Sequence, residues 1–128
     1  MGKYLDEAFE RLAVTIDSKQ SDLEIKARFA TAAITLNKYR QELGIEPSER
    51  LENERDKCAA LIRYIRNAFA HDVSEPVWDI RNPVWQVVYD FDDFVVSLVD
   101  KHDLPFTFEH IGGSETLFAL KERLETCA

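Results

Sequence analysis

Hydrophobic residues recur every three or four positions in three successive stretches of the first half of the chain, about residues 3–17, 21–43 and 47–71. This spacing places apolar side chains on one face of a helix. Ser21 opens the Ser-x-x-Glu pattern of a capping box, and Gly44 is a typical helix stop. The pattern therefore predicts three amphipathic helices, of which the third starts at Pro47-Ser48 and ends near His71.

Beyond residue 71 the spacing changes from helical to extended. Residues 77–80 and 85–89 are short runs of aromatic and β-branched side chains, and a proline before each run argues against a continuous helix. Residues 94–99 form a third run of the same kind, after a predicted turn at 91–94. We therefore expect a small β-hairpin or meander here, although one helix over residues 84–100 is an alternative.

A last amphipathic helix is expected near the end of the chain, where Ser114 follows two glycines and is a suitable N-cap. Its apolar side consists of Leu117, Leu120 and Leu124. The predicted fold class is mainly α, a helical bundle with a small β-hairpin or meander after the third helix and a C-terminal helix. Residues 1–128 are expected to form a single domain.

The composition indicates an ordinary globular protein. Of the 128 residues, 45% are hydrophobic and 31% are charged, and no apolar run approaches the length of a membrane span. The first residues turn charged and amphipathic at once, so we expect no secretory leader and no membrane partner. Cys58 and Cys127 lie far apart in the sequence, which favours separate thiols over a disulfide. Together these features predict a cytoplasmic protein.

Charge is distributed unevenly along the chain. The net charge is −8, which argues against a general nucleic-acid coat because such binding depends on neutralising phosphates. Residues 55–71, however, contain four basic side chains and one acidic, a local charge of +3, so the remainder carries −11. A basic stretch in an acidic body suits a local anion site, and a solvated helix face with incidental charges is an equally good interpretation.

The most informative stretch is Ile65-Arg66-Asn67-Ala68-Phe69-Ala70-His71-Asp72. An arginine can hold a phosphate through two parallel hydrogen bonds, and a histidine is suited to proton transfer near neutral pH. Five residues of an unbroken helix rotate by roughly 140°, so Arg66 and His71 would diverge. We therefore expect the helix to loosen at residues 70–72, unless the long Arg66 side chain curls round to meet the imidazole.

The pattern Arg66-Asn67-x-x-Ala70-His71 resembles the R-x(4–6)-H signature of HEPN domains, and the resemblance is strongest over residues 61–72. HEPN domains are small helical domains, many of them metal-independent ribonucleases of toxin–antitoxin and phage-defence systems. The resemblance implies that the ribose 2′-hydroxyl of RNA attacks the neighbouring phosphorus and leaves a 2′,3′-cyclic phosphate. Such a reaction requires no metal and no other cofactor.

The resemblance also implies a role for each residue of the motif. His71 would act as the base or the acid, Arg66 would hold the phosphate and stabilise the transition state, and Asn67 would orient the substrate or the histidine. Arg63, one helical turn earlier, would bind the RNA backbone. A symmetric homodimer would supply a second copy of each residue to a shared cleft. A nucleotidyltransferase-like antitoxin is a candidate partner.

Two other classes of function stay open at this point. A HEPN-like module can bind a nucleotide or RNA without cutting it, and a structural dimer or adaptor needs no chemistry at all. In the structural interpretation Arg66 is an ion-pair partner, His71 terminates a helix, and Asn67 makes hydrogen bonds at the helix end.

The other polar and aromatic candidates favour structural roles. His102 and His110 are expected in loops, and no ligand-pair spacing supports a zinc site that combines them with His71 and the cysteines. The acidic run at residues 90–93 is typical of a solvated turn. Three aromatic residues of the predicted strands could stack on bases, although core packing is the better interpretation. They are Trp78, Trp85 and Tyr89.

Overall fold

The computed structural model describes residues 2–127, and four α-helices account for most of its regular structure. Helix α1 comprises Gly2–Asp17, α2 Asp22–Glu42, α3 Glu54–Ala68 and α4 Thr116–Cys127. Two short strands, β1 (Val88–Asp90) and β2 (Val95–Ser97), pair antiparallel between α3 and α4. The predicted fold class is confirmed, since the structure is mainly helical with a small hairpin after the third helix and a C-terminal helix.

The first two helices lie where the sequence pattern places them and pack against each other. The Ser21 hydroxyl accepts a hydrogen bond from the Glu24 amide at 3.2 Å, which satisfies one of the amides that a helix start leaves unpaired. After α2, Gly44 has a φ of 74°, the left-handed conformation typical of a helix end. Two pairs of fully buried alanines, Ala32-Ala33 in α2 and Ala59-Ala60 in α3, add little volume and let the helices approach closely.

The third helix is shorter than predicted at both ends. It begins at Glu54 and not at Pro47-Ser48, because Leu51 has a left-handed φ of 48° that a helix does not contain. Asn53 caps the true start, where its side chain accepts a hydrogen bond of 2.9 Å from the backbone amide three residues later. The helix ends at Ala68, three residues before the histidine of the motif, which confirms that it does not continue through the motif.

The hairpin lies within the region that the sequence assigned to short strands. Tyr89 of β1 is paired with Val96 of β2, and the turn closes where the Phe91 amide donates a hydrogen bond to the Phe94 carbonyl at 2.9 Å. The alternative of one helix over residues 84–100 is therefore wrong.

The two flanking runs are less regular than predicted. Residues 77–80 do not form a strand, and Val77 makes only an isolated bridge to Pro105. Pro105, the bridge partner, has no amide to donate, which removes one of the hydrogen bonds that a regular ladder needs. The start of the next run is a short 3₁₀ helix, Pro83–Trp85.

Helix α4 begins at Thr116, two residues after the predicted cap Ser114. Gly112 and Gly113 have φ values of 85° and 114°, which a helix cannot contain, so the helix cannot begin before them. The Thr116 and Leu117 amides then donate to the carbonyls three residues earlier, so a tighter turn precedes the regular helix. The predicted apolar side of this helix is fully buried, as expected.

The aromatic candidates belong to the core. Trp78 and Tyr89 are fully buried and Trp85 is nearly so, which confirms core packing and excludes stacking on bases. The Trp78 indole N–H donates a hydrogen bond to His110 Nδ1 at 2.9 Å, and a backbone amide donates to His102 Nδ1 at 3.0 Å. His110 lies in a 3₁₀ helix and not in the expected loop, so both histidines act as acceptors that hold the frame together.

The two cysteines are separate thiols, as predicted. Burial raises the pKa of Cys58 to about 12, so this thiol stays protonated at neutral pH. Within residues 2–127, no helix has both the length and the apolar character that crossing a membrane requires.

Candidate functional site

The C-terminal part of α3 carries three of the four predicted site residues, with Arg66 and Asn67 in its last turn and Arg63 one turn earlier. The position of this turn is set by Phe69, which follows the helix and is buried with its ring centroid 5.4 Å from that of Phe29. The Phe69 amide donates to the Arg66 carbonyl at 3.1 Å and closes the helix end. The apolar anchor therefore fixes where the polar side chains of the last turn emerge.

Arg66 and Asn67 are half-buried and hydrogen-bonded to each other. The Arg66 Nη1 group donates to Asn67 Oδ1 at 3.1 Å, and this is the one side-chain hydrogen bond that Arg66 makes within residues 2–127. A guanidinium carries five N–H donors, so four stay available for a ligand. Arg63 is exposed, and its guanidinium carbon lies 5.9 Å from the centre of the Tyr64 ring.

His71 lies on the exposed loop that follows α3. Asp72 shapes this loop, because its Oδ1 accepts hydrogen bonds from the Ser74 hydroxyl at 2.8 Å and from the Ser74 and Glu75 amides. These hydrogen bonds, that of the Ser74 hydroxyl first, hold the pKa of Asp72 below its usual value. The His71 imidazole makes no side-chain hydrogen bond to any residue from 2 to 127. The hydrogen bonds of Asp72 therefore fix the loop, whereas the His71 side chain has no hydrogen-bond partner in this part of the chain.

These three residues of α3, Arg63, Arg66 and Asn67, line a cleft between α2 and α3 with a volume of about 320 Å³. We call it the donor cleft, and its lining consists of Asn37, Arg40, Gln41, Glu46, Arg63, Arg66 and Asn67. His71 is not part of this lining. The structure therefore brings Arg63, Arg66 and Asn67 together and leaves the histidine on the loop outside.

Arg40 is the most buried charged residue of the donor cleft, with only 2% of its surface exposed. Its Nε and Nη2 groups donate to Asn37 Oδ1 at 3.0 and 2.9 Å, and Nη1 donates to the Ile45 carbonyl at 2.6 Å. Burial lowers the pKa of Arg40, the Glu46 carboxylate opposes that effect, and the Arg63 guanidinium adds to it. A guanidinium nevertheless remains charged in proteins, so Arg40 is a fixed positive charge.

The electrostatics of the donor cleft favour an anion. Three guanidinium groups face one carboxylate, that of Glu46, whose side chain is 68% exposed and well solvated. The carboxyl end of α3 carries a partial negative charge, so the arginines and not the helix supply the positive potential. A cation would find one carboxylate and three like charges here.

A larger groove of about 510 Å³ lies between α1 and α2, but its character is different. It is lined by two glutamates and two arginines together with Val14 and Thr15, and its formal charges cancel. No residue of the sequence motif reaches it. The donor cleft is therefore the better candidate site, although it is smaller.

Four residues of the donor cleft were not predicted from the sequence, Asn37, Arg40, Gln41 and Glu46. A signal for two of them exists. Asn37 and Arg40 occupy positions that continue the buried stripe of α2 after Phe29 and Ala33, where an apolar residue would be expected. Polar side chains at buried positions need partners, and such an interruption points to a polar cavity.

Comparison of the chain with protein-family models, with curated proteins and with solved structures found no match. The resemblance noted for residues 61–72 therefore depends on the motif alone. Among residues 2–127, no three or more histidine, cysteine or carboxylate side chains are grouped so that they could hold a metal ion.

Proposed function

We propose that this protein is a metal-independent endoribonuclease of the HEPN type, acting in the cytoplasm. The observation that supports the proposal best is the placement of Arg66 and Asn67. Both motif residues line a positively charged cleft with most of their donors unused, and an unengaged histidine follows on the adjacent loop. A phosphate-binding cleft beside a proton-transfer group is what cleavage by the 2′-hydroxyl requires.

In the proposed reaction the nucleophile belongs to the RNA. A base removes the proton from a ribose 2′-hydroxyl, the 2′-oxygen bonds to the adjacent phosphorus, and the bond from phosphorus to the 5′-oxygen breaks. An acid protonates the leaving 5′-oxygen. Arg66 binds the phosphate through its free N–H groups and stabilises the charge that develops on it. His71 transfers a proton, and Asn67 holds Arg66 in place through their mutual hydrogen bond.

We propose further that two copies of the chain form a symmetric dimer around this site. One protomer supplies a single imidazole, whereas the reaction uses a base and an acid. His71 is exposed and lies outside the donor cleft, so a second copy can bring its own His71 toward the cleft. Two-fold contacts are the commonest way to double a site. Light scattering should give twice the chain mass of 14.8 kDa, and a monomer at all concentrations tested would contradict the dimer.

The position of His71 also favours a second candidate function. Because the structure leaves the histidine outside the donor cleft, the cleft can bind a nucleotide or RNA without cutting it. The protein would then be a non-catalytic HEPN-like module or an adaptor dimer. A role as a toxin or phage-defence component, and a nucleotidyltransferase-like antitoxin as partner, belong to the nuclease proposal and depend on the motif.

The test of the nuclease proposal is cleavage of RNA in the absence of metal. The purified protein is incubated with a set of single-stranded and structured RNAs in a buffer that contains a chelator. We expect cleavage that the chelator does not change. DNA of the same sequences should stay intact because it lacks the 2′-hydroxyl. If all the RNAs stay intact with and without added metal, the non-catalytic function replaces the nuclease.

A further inference from the structure

The orientation of the Asn37 amide is fixed by its neighbour on α2. Asn37 is 92% buried, with 8% of its surface exposed, and its Oδ1 accepts two N–H groups of Arg40 at 3.0 and 2.9 Å. A guanidinium has donors and no acceptor, so the reversed amide would place donors against donors. The oxygen must therefore face Arg40, and the NH₂ group must face away from it.

The NH₂ group of Asn37 is directed into the donor cleft. Within residues 2–127 this group donates to no protein atom. Every fully buried side-chain nitrogen or oxygen in that part of the chain has a hydrogen-bond partner, so the Asn37 nitrogen is not fully buried. The Asn37 nitrogen must therefore reach solvent, and the donor cleft is the open space that this side chain lines. An almost buried amide thus presents two unused donors to the cleft.

The facing wall of the cleft repeats this arrangement on α3. Asn67 Oδ1 accepts a hydrogen bond from Arg66 Nη1 at 3.1 Å, which leaves the Asn67 NH₂ group without a protein acceptor in the part of the chain that the structure describes. Each helix therefore carries one arginine–asparagine pair, in which the arginine donates to the amide oxygen and the amide NH₂ group remains available for a ligand. Arg63 adds a guanidinium that makes no side-chain hydrogen bond within residues 2–127.

We propose that the donor cleft binds a phosphate group of RNA through the amides of Asn37 and Asn67 and the guanidinium groups of Arg63 and Arg66, with Arg40 as the positioning residue that orients Asn37. An ionised phosphate offers several acceptors and no competing donor, which matches a cleft of this composition. The assignment to RNA rests on the proposed function, whereas phosphate binding itself does not.

The first test uses inorganic phosphate as the probe and nuclear magnetic resonance of the full ¹⁵N-labelled chain as the readout. Phosphate is added at constant ionic strength, with chloride as the balancing anion. We expect the side-chain amide signals of Asn37 and Asn67 to shift together and to saturate. Signals from the Trp78–His110 pair, which does not line the donor cleft, should stay in place. If the two asparagine signals do not shift, or if chloride shifts them equally, the proposal is overturned.

The second test removes the donors of Asn37 without disturbing its contact with Arg40. In Asn37→Asp the carboxylate still accepts both N–H groups of Arg40, so the variant should fold, but it has no donor for phosphate. Loss of hydrogen bonds to a charged ligand should weaken phosphate binding about ten- to hundredfold. The control is Asn53→Asp, which makes the same charge change and keeps the cap of α3, about 15 Å from Arg63 along the helix. Equal affinities in both variants would contradict the proposal.

The role of Arg40 is tested by Arg40→Lys. An ammonium keeps the charge but cannot hold one oxygen through two parallel N–H groups. We expect altered Asn37 amide signals in the unliganded variant, together with weaker phosphate binding. A merely structural role would lower the melting temperature and leave the affinity of the folded protein unchanged, which would overturn the positioning role. If this variant does not fold, Asn37→Asp still decides whether the cleft binds phosphate.

The last arm separates this inference from the nuclease proposal. An oligodeoxyribonucleotide cannot be cut by the proposed mechanism, so it should compete with inorganic phosphate for the donor cleft. Absence of competition would overturn the assignment to a nucleic-acid chain. Phosphate binding without RNA cleavage would refute the nuclease alone. Normal RNA cleavage by Asn37→Asp, together with unshifted asparagine signals, would refute this inference alone.

Discussion

The donor cleft and the loop after α3 hold the two parts of one sequence motif in opposite physical settings. Arg66 and Asn67 are half-buried between packed helices and hydrogen-bonded to each other. His71, only a few residues later, is exposed and makes no side-chain hydrogen bond within residues 2–127. In our account the fold of one protomer therefore prepares phosphate binding. Proton transfer is left to a side chain that RNA or a second copy must bring into position.

The largest effect expected from this comparison is that of His71→Ala. If the histidine transfers a proton, its removal should slow RNA cleavage by about 10²–10⁴-fold while RNA binding to the donor cleft is unchanged. Initial cleavage rates and binding of an uncleavable oligodeoxyribonucleotide are measured on the same preparation. The matched control is Val73→Ala, another exposed side chain of the same loop, which should cut at the normal rate. Equal cleavage by the His71→Ala variant would show that the proton-transfer assignment is wrong.

A smaller loss of cleavage, joined to a loss of binding, is expected for Arg66→Gln. Removal of one transition-state donor typically costs about 10²–10³-fold in rate, and the lost charge should also weaken binding. Arg66→Lys should recover only part of either property, because an ammonium cannot reproduce the planar, bidentate contact of a guanidinium.

The control for Arg66 lies on the same helix. Arg55→Gln makes the same change of charge three helical turns away, outside the donor cleft, and should leave binding and cleavage intact. If Arg55→Gln and Arg66→Gln weaken binding equally, then the overall charge of α3 matters and the cleft does not.

The smallest expected effect concerns a histidine in a different setting, His110. Partial burial lowers the pKa of His110, the Lys101 ammonium lowers it further, and Glu109 opposes them. The neutral imidazole accepts the Trp78 N–H, so protonation is easier in the unfolded chain than in the folded one. The contribution of His110 to the free energy of unfolding is therefore fully present above the ordinary histidine pKa of 6.5. It declines as the pH falls from there through the lower pKa of His110 in the folded protein.

Urea unfolding as a function of pH measures this effect. We expect the free energy of unfolding to decrease modestly below pH 6.5. The His71→Ala variant should show the same decrease, and the His110→Gln variant should not. If the loss disappears in His71→Ala instead, the motif histidine is coupled to folding although it lies on an exposed loop, which would contradict the proposed difference between His71 and His110.

Local signals in the sequence account for the elements that were predicted well. The Ser21 cap and Gly44 act within one helical turn, and both bounds of α2 follow from them. The predicted start of α3 was wrong because Pro47-Ser48 is as good a local signal for a helix start as Asn53. Only the left-handed conformation of Leu51 excludes a helix that begins at Pro47-Ser48. Residues 77–80 have strand-like composition, but strand pairing there is limited to the isolated bridge between Val77 and Pro105, and a short-range pattern does not contain that contact.

The candidate site was predictable only in part, for a related reason. Arg66, Asn67 and Arg63 share one helix, so their spacing alone places them on neighbouring positions. Asn37 and Arg40 join them only because α2 packs on α3, and no short-range pattern contains that contact. The sequence therefore identified one wall of the donor cleft and missed the other.

The chemical ends of the cut RNA show whether the ribose 2′-hydroxyl is the nucleophile, as we propose. An end-labelled RNA is incubated with the protein and a chelator, and the fragments are identified by mass spectrometry. We expect an upstream fragment with a 2′,3′-cyclic phosphate and a downstream fragment with a 5′-hydroxyl. Fragments with a 3′-hydroxyl and a 5′-phosphate, which arise when water and not the ribose attacks phosphorus, would contradict it.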